Sequence, residues 1–534
     1  MMVPRESKPF TYSDGDIEDD IARTVTNASD CSVMSPQLAN GIKDWPSFYH
    51  LSYRRTFLLR PFEHLLAGSK VLELGAGCGA LTRYLGETAR TVIAVEGSPK
   101  RAAITASRCQ DLSGVLVIND TIQDLAPPTT FDVVTLIGVL EYARSFGPEA
   151  ANPEAYVLEK AKSFLKPGGI LLLAIENQLG LKYFAGARED HLGFPFTGVH
   201  DLYTNNSPVT FGRKELQSLL RDAGFARIEQ AIPLPDYKFP ITVLCPAALD
   251  GTEPSVNITP LIQNSYRADP QKASDNCFSL EAATSAIVRN GLATELCNSL
   301  LFAASPDPDA QAFPEGLCVA HYGTGRAMKY LKATLFIRKQ GAIQVQRQYL
   351  GSKAPCANKG FNQLEDEVYL DYPLFHDGLV SRINTFGWNV RTIATWAKPW
   401  VDFLRANAAD DRLPGIFIDA TPCNCVLKED GSLTFFDREW RMGGDDGIPL
   451  NGVIFRGLFQ SLSWFENVAP PAKRTPVRTV VLVAAIMEQL GISLSPDEME
   501  ECLHLQKGFL DEATGAEQSI DVINACKLRI RLMA

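Results

Sequence analysis

The sequence predicts an α/β protein: a doubly wound, Rossmann-like parallel sheet, then a second α+β domain and a helical C-terminus. Three observations carry this. Short apolar runs alternate with helical stretches between residues 71 and 175. A glycine-rich turn follows the first run, in the stretch from Val71 to Ala80 (Val-Leu-Glu-Leu-Gly-Ala-Gly-Cys-Gly-Ala). Far downstream, Asp419, Asn424 and Asp437 stand at separations of 5 and 13 residues around an expected hairpin.

The parallel sheet is read strand by strand. Val71–Leu74 is the first strand and Thr91–Val95 the second, ending at Glu96-Gly97. Val115–Ile118 is the third, followed by Asn119-Asp120-Thr121. Phe131–Val139 is the fourth, and Ile170–Ile175 the fifth, after the turn Lys166-Pro167-Gly168-Gly169. Continuous apolar runs separated by helical stretches are the pattern of buried parallel strands. Such sheets take ligands beyond the carboxyl ends of their strands.

The glycine turn is where a cofactor is expected. Glycines let the backbone turn tightly and approach a ligand that a Cβ would push away. The next helix, through Leu81 and Leu85, begins with free N–H groups. Gly75-x-Gly77-x-x-Ala80 satisfies the dinucleotide fingerprint, with Glu96 at a suitable distance for a ribose. Glu73 argues the other way: its carboxylate repels a pyrophosphate and attracts the amino and sulfonium cations of S-adenosylmethionine.

The run Glu73-x-Gly75-x-Gly77-x-Gly79, with Glu96 and the Leu-Lys-Pro-Gly-Gly turn, resembles class I S-adenosylmethionine-dependent methyltransferases over about residues 40–245. That resemblance implies a cofactor site made of Glu73, Gly75, Ala76, Gly77 and Gly79, with Glu96 and Gly97 at the ribose. It places Asp120 and Thr121 near the adenine, Asp124 being close as well, and Gly138 and Glu141 beside the transferred methyl. The stretch from Glu176 through Phe184, with Glu189-Asp190-His191 and His200-Asp201-Leu202-Tyr203, emerges where an acceptor must sit. His191 or His200 could act as base for a hydroxyl acceptor, or both could cap loop backbone. The Glu-Asn…Gly-Leu-Lys-Tyr-Phe text is similar to methyltransferases of bacterial surface-polysaccharide and other glycan clusters, which implies a sugar or glycan-related acceptor and glycan-assembly partners.

The second signature resembles the aminoglycoside-phosphotransferase branch of protein-kinase-like folds over about residues 316–465. The resemblance makes Asp419 the base and Asn424 and Asp437 ligands of magnesium, with ATP as the cofactor. The expected phosphate-pairing Lys is missing from the strand Ala342–Tyr349, which offers Arg347 in its place, and the upstream lobe looks trimmed. A non-catalytic scaffold is therefore the alternative to phosphotransfer.

The remaining text sets bounds. At 534 residues the chain is too long for one core, and its net charge of −11 argues against non-specific nucleic-acid binding. Twelve cysteines show no paired metal spacing, so free thiols in a reducing, cytoplasmic setting are expected, with no zinc site. No signal peptide or membrane span is read, Thr479–Met487 being far too short. Residues 1–35, with Asp14, Asp16, Glu18, Asp19 and Asp20, read as a mobile tail. The aromatic segment Asp44–Leu66 could cover the cofactor mouth or pack as a leading helix. Residues 246–315 read as a joint, with helical pieces at Leu280–Asn290 and Ala293–Ala304. Residues 466–534 read as helices at Val477–Gln489, Asp497–Leu510 and Ser519–Leu532.

Overall fold

A computed structural model describes residues 2–3, 15–127, 129–146, 152–271, 273, 276–351, 361–463, 465, 467–515 and 527–532. The chain divides into two compact units. Unit 1 comprises Met1–Thr252, Ala268–Ala273 and Arg289–His321; unit 2 comprises Glu253–Arg267, Ser274–Val288 and Tyr322–Ala534.

Unit 1 is built on one twisted sheet. Besides the two-residue strand Met2–Val3, which pairs in parallel with Val117 and Ile118, its strands are β1 (Lys70–Leu74), β2 (Thr91–Glu96), β3 (Val115–Asn119), β4 (Phe131–Ile137), β5 (Leu165–Glu176), β6 (Arg227–Leu234), β7 (Thr242–Leu244), β8 (Ser299–Ser305) and β9 (Leu317–Gly323). They run in the order β3-β2-β1-β4-β5-β8-β6-β7-β9. From β3 to β5 every pair is parallel, and from β5 to β9 every pair is antiparallel. Parallel strands need crossovers, and helices supply them: Ala80–Thr88 after β1, Pro99–Arg108 after β2 and Pro153–Ser163 before β5. Strand order reverses between β1 and β4, so a crevice opens at their carboxyl ends. Leu72, Leu74, Val134, Leu136 and Leu171 to Leu173 are all buried, as strands covered on both faces require.

Two expectations are corrected here. Ala293–Ala304 is not a helix: only Ala293–Leu296 is helical, and Ser299 onward is β8. The run Ser-Leu-Leu-Phe-Ala-Ala-Ser is apolar enough for either state. It becomes a strand because it fills the gap between β5 and β6, hydrogen-bonding to both. Residues 15–35 are not a loose tail either. A helix, Ile17–Asn27, buries Ile21 and Val25, and Glu18 forms a buried ion pair with Arg101 at 2.7 Å. Residues 4–14 of that span lie outside the described residues.

Unit 2 holds an antiparallel sheet, β10 (Lys332–Lys339), β11 (Ala342–Tyr349) and β12 (Glu367–Val368). A separate hairpin pairs Cys425–Leu427 with Leu433–Phe435, as Asp430-Gly431 at its turn predicts. Four helices, Val390–Ala406, Leu450–Ser463, Thr479–Gln489 and Pro496–Thr514, enclose a core that includes Trp388, Trp396, Trp400 and Trp440. The expected helix Ser519–Leu532 falls partly outside the described residues. Its end is extended: Arg529 bridges to Arg478 and Leu532 to Val468. Among the described residues no helix is long and apolar enough to cross a membrane.

Candidate functional site

The carboxyl ends of β1, β2 and β4 open onto a cavity of about 380 Å³ in unit 1. Glu73, Gly75, Ala76, Gly77, Glu96, Gly97, Asp120, Thr121, Gly138, Glu141 and His191 line it together, though they lie up to 118 residues apart in sequence (191 − 73 = 118). Of the candidates read from the sequence in this unit, Gly79, Asp124 and His200 are not in the lining. Gly79 instead starts the helix Ala80–Thr88 at φ +79°, where a Cβ would press on the Thr105 backbone at 3.1 Å. His200 is exposed and stacks on Phe196.

The turn after β1 shows why glycine is required. Gly75 has φ +83°, and a Cβ there would lie 2.4 Å from Val139 Cγ2. At Gly77, φ +56°, a Cβ would meet His50 Cε1 at 3.8 Å, an ordinary contact, so it is the positive φ that favours glycine there. Glu96 closes this end: its carboxylate accepts from Gly77 N–H at 2.7 Å and from Ser98 N–H at 2.8 Å. Glu73 accepts from the Thr82 hydroxyl at 2.6 Å, and burial pushes its carboxyl up to about 8. The attraction of Glu73 for a cation, argued from its sequence position as a full negative charge, therefore depends on a ligand drawing off its proton.

Aromatic rings form one wall. The helix Trp45–Leu51 starts with a capping box between Asp44 and Ser47. It places Trp45, Tyr49 and His50 in the lining. Phe48 stacks on Phe239 at 4.2 Å, with Trp45 edge-on to the same ring at 5.4 Å. The segment both packs and lines the cavity, so its two readings are not exclusive.

The far end is ionic, and much of it was not legible in the sequence. Lys238 Nζ contacts Glu176 Oε1, lies 2.9 Å from Asp190 Oδ1 and 3.7 Å from Asp236. Lys182 lies 3.1 Å from Asp236 and 3.3 Å from Asp190. His191 sits between Tyr142, whose hydroxyl is 3.2 Å from Nδ1, and Glu176, 3.5 Å from Nε2. Burial works against an imidazolium here, but Glu176, then Glu141 and Glu189, hold His191 up at about 9. Burial, with the Glu176 charge, raises Glu141; Lys238 and His191 lower Glu176 against its own burial. Lys238, Asp236 and Tyr237 come from a short segment that the sequence marks only as a lead into Ile241–Leu244. Its one signal is a cluster of charge between two apolar strands.

Unit 2 assembles its own candidates differently. Asp419 Oδ1 accepts from Arg456 at 2.6 Å and Oδ2 from Asn424 Nδ2 at 2.9 Å. Asp437, at φ +54°, accepts from Lys332 at 2.9 Å and lies 3.1 Å from Arg347 Nε. Arg347 also pairs with Glu367 at 2.9 Å, and Lys332 with Glu439 at 2.8 Å. The strand Ala342–Tyr349 carries no lysine, and it is Lys332, at the start of β10, that pairs with Asp437.

The profile of a methyltransferase domain matches residues 49–230. The mitochondrial ubiquinone biosynthesis O-methyltransferase of Schizosaccharomyces pombe is 30% identical over 149 residues, which cover 26% of this chain and 52% of that protein. The ubiquinone biosynthesis O-methyltransferase of Xanthomonas euvesicatoria is 33% identical over 118 residues, covering 21% and 45%. The chain spans about half the length of the curated relatives it matches. Among solved structures, phosphoethanolamine N-methyltransferase 2 of Haemonchus contortus with S-adenosyl-L-methionine has a TM-score of 0.29 at 16% identity, covering 47% of this chain and 52% of that one. Within unit 1, residues 49–230 thus match a methyltransferase domain.

Proposed function

We propose that this domain transfers a methyl group from S-adenosylmethionine to a hydroxyl of a small-molecule acceptor. The observation that carries the reading is Glu96: its carboxylate is pinned at the end of β2 by Gly77 N–H and Ser98 N–H, inside the cavity. So held, it can accept both hydroxyls of a ribose. The same contact disfavours a dinucleotide, because the Gly77 N–H that would cradle a pyrophosphate is already donated. When bound, the cofactor supplies an electrophilic methyl group. Glu73, Gly75, Ala76 and Gly77 would hold its methionine part, and Asp120 and Thr121, also in the lining, would contact its adenine. Gly138 gives close approach: a Cβ there would lie 2.7 Å from the Tyr237 hydroxyl.

At the acceptor end a hydroxyl must lose its proton as its oxygen becomes nucleophilic. Glu141 and His191 line the cavity there, whereas His200 lies outside it. The aromatic wall of Trp45, Tyr49, Tyr142 and Tyr237 suits the flat or apolar face of an acceptor. The relatives named for ubiquinone biosynthesis are O-methyltransferases, which supports a hydroxyl acceptor. A sugar or glycan-related acceptor rests on the Glu176–Phe184 text alone.

For unit 2 we favour a kinase-like scaffold over phosphotransfer. Both oxygens of Asp419, and the carboxylate of Asp437, are engaged by side chains of the unit itself. The cations already paired with each, Arg456 on Asp419 and Lys332 on Asp437, leave less negative charge to attract magnesium. Calorimetry of the full chain with S-adenosylhomocysteine, NAD and ATP–magnesium in turn tests the whole reading. Binding of the first alone is expected; tight NAD binding defeats the methyl-donor assignment, and micromolar ATP–magnesium defeats the scaffold.

A further inference from the structure

Three polar atoms at the acceptor end have no hydrogen-bond partner among the described residues: Glu141 Oε2, Glu176 Oε2 and His191 Nε2. Their side chains are deeply buried: Glu141 is 1% exposed and Glu176 0%, and the His191 side chain is 9% exposed. Two of them, His191 Nε2 and Glu176 Oε2, face each other as an ion pair at 3.5 Å that forms no hydrogen bond. Unsatisfied buried polar atoms are costly, so a further partner shared with Glu141 Oε2 would be favoured. One ligand atom from each of these residues lies within 4.8 Å of the other two. The remaining valences are arranged so that these atoms stay aimed inward. Glu176 Oε1 is taken by Lys238 and by the Tyr237 hydroxyl at 3.3 Å, leaving Oε2. His191 Nδ1 meets Tyr142, leaving Nε2.

We infer that Glu141, Glu176 and His191 form a binding site for a divalent first-row transition-metal ion. Two ligands on one such ion, each about 2.0–2.2 Å from it, stand roughly 3–3.5 Å apart. His191 Nε2 and Glu176 Oε2 are already 3.5 Å apart, so closing the site asks mainly that Glu141 turn in. One imidazole and two carboxylates favour manganese, iron, cobalt or zinc over magnesium or calcium, which prefer oxygen alone. The outer shell is also present, since Tyr142 orients the imidazole and Lys238 fixes Glu176. Glu141 and His191 line the cavity, so the open positions of the ion face it. There it would take an acceptor oxygen and lower that oxygen's pKa, the task otherwise left to a base. Occupancy of the site stands by itself; the role in holding the acceptor rests on the methyltransfer reading.

The test is titration of the chelator-treated full chain with cobalt(II), followed by visible absorption and calorimetry, with S-adenosylhomocysteine affinity measured in parallel. One cobalt per chain with intensified visible bands is expected. Glu176→Gln and His191→Gln should each weaken it at least tenfold, while His504→Gln, on an exposed helix face, should leave it unchanged. Folded wild type that binds no cobalt, or binds it equally in all variants, overturns the metal site. S-adenosylhomocysteine binding without cobalt binding would sink the metal alone, and the reverse would sink the methyl-donor reading alone.

Discussion

Both units bring carboxylates together with cations and amides, and they leave them in opposite states. In unit 1, Glu141, Glu176 and His191 each keep one atom without a hydrogen-bond partner among the described residues, next to a cavity. In unit 2, Asp419 and Asp437 are closed off by Arg456, Asn424, Lys332 and Arg347. A motif's spacing says only that certain groups can meet. Whether they are available to a ligand depends on what else meets them, because a buried carboxylate satisfied internally has little to gain from a new partner.

The largest test of that contrast is Arg456→Ala. Arg456 donates to Asp419, to Gln506 at 2.6 Å and to the Ile418 carbonyl at 2.9 Å, and sits 3.8 Å over the Phe509 ring. Its loss leaves a buried carboxylate unpaired, and unit 2 should lose about 3–5 kcal/mol in urea unfolding. A variant as stable as wild type would mean that Asp419 does not depend on its internal partner.

A smaller effect is expected at His376, buried against Phe465 at 5.5 Å. Burial, aided by the Arg267 charge, lowers its pKa to about 3. Below its ordinary pKa the unfolded chain binds a proton that the folded unit refuses. Stability is thus full above about pH 6.5 and falls on acidification toward pH 3. Asp377, pushed up to about 6 by burial, works the opposite way, since its folded form takes up a proton first. The two partly cancel in wild type, and the variant separates them. The stability lost on His376→Gln should shrink by about 2 kcal/mol between about pH 7.5 and pH 5, at about 1.36 kcal/mol per pKa unit. Tryptophan fluorescence follows this, because Trp388, Trp396, Trp400 and Trp440 are all buried in unit 2. A pH-independent difference would remove His376 as the source.

In unit 1 the sharper measure is affinity. Glu96→Ala should weaken S-adenosylhomocysteine at least tenfold, about 1.4 kcal/mol, in a chain that remains folded. Unchanged affinity would detach Glu96 from the ribose and undo the observation on which the function rests.

The sheet from β1 to β5 was legible because its signals are local. Val71–Leu74 and Thr91–Val95 are continuous apolar runs, and the glycines of the turn declare their positive φ by being glycines. The glycine turn, Glu96 and Asp120-Thr121 were legible for the same reason: each follows a strand whose end marks the crevice. β8 was not, because Ser299–Ser305 has no local preference that separates strand from helix until β5 and β6 offer their edges. Lys332 was hidden for a related reason, since nothing in its own strand says that Asp437, 105 residues on, will be its partner.

By itself, then, the sequence determined the parallel half of the sheet, the glycine turn and the residue types at the strand ends. Backbone conformation and apolar periodicity are set within a few residues of one another. Only the tertiary structure decided which charges are spent on each other and which stay open. Glu141, Glu176, His191 and Lys238 come from four separated segments, and Asp419 meets Arg456 across 37 residues. In a low-dielectric interior the state of each such group is fixed by neighbours a few ångströms away, and chain distance carries no information about them.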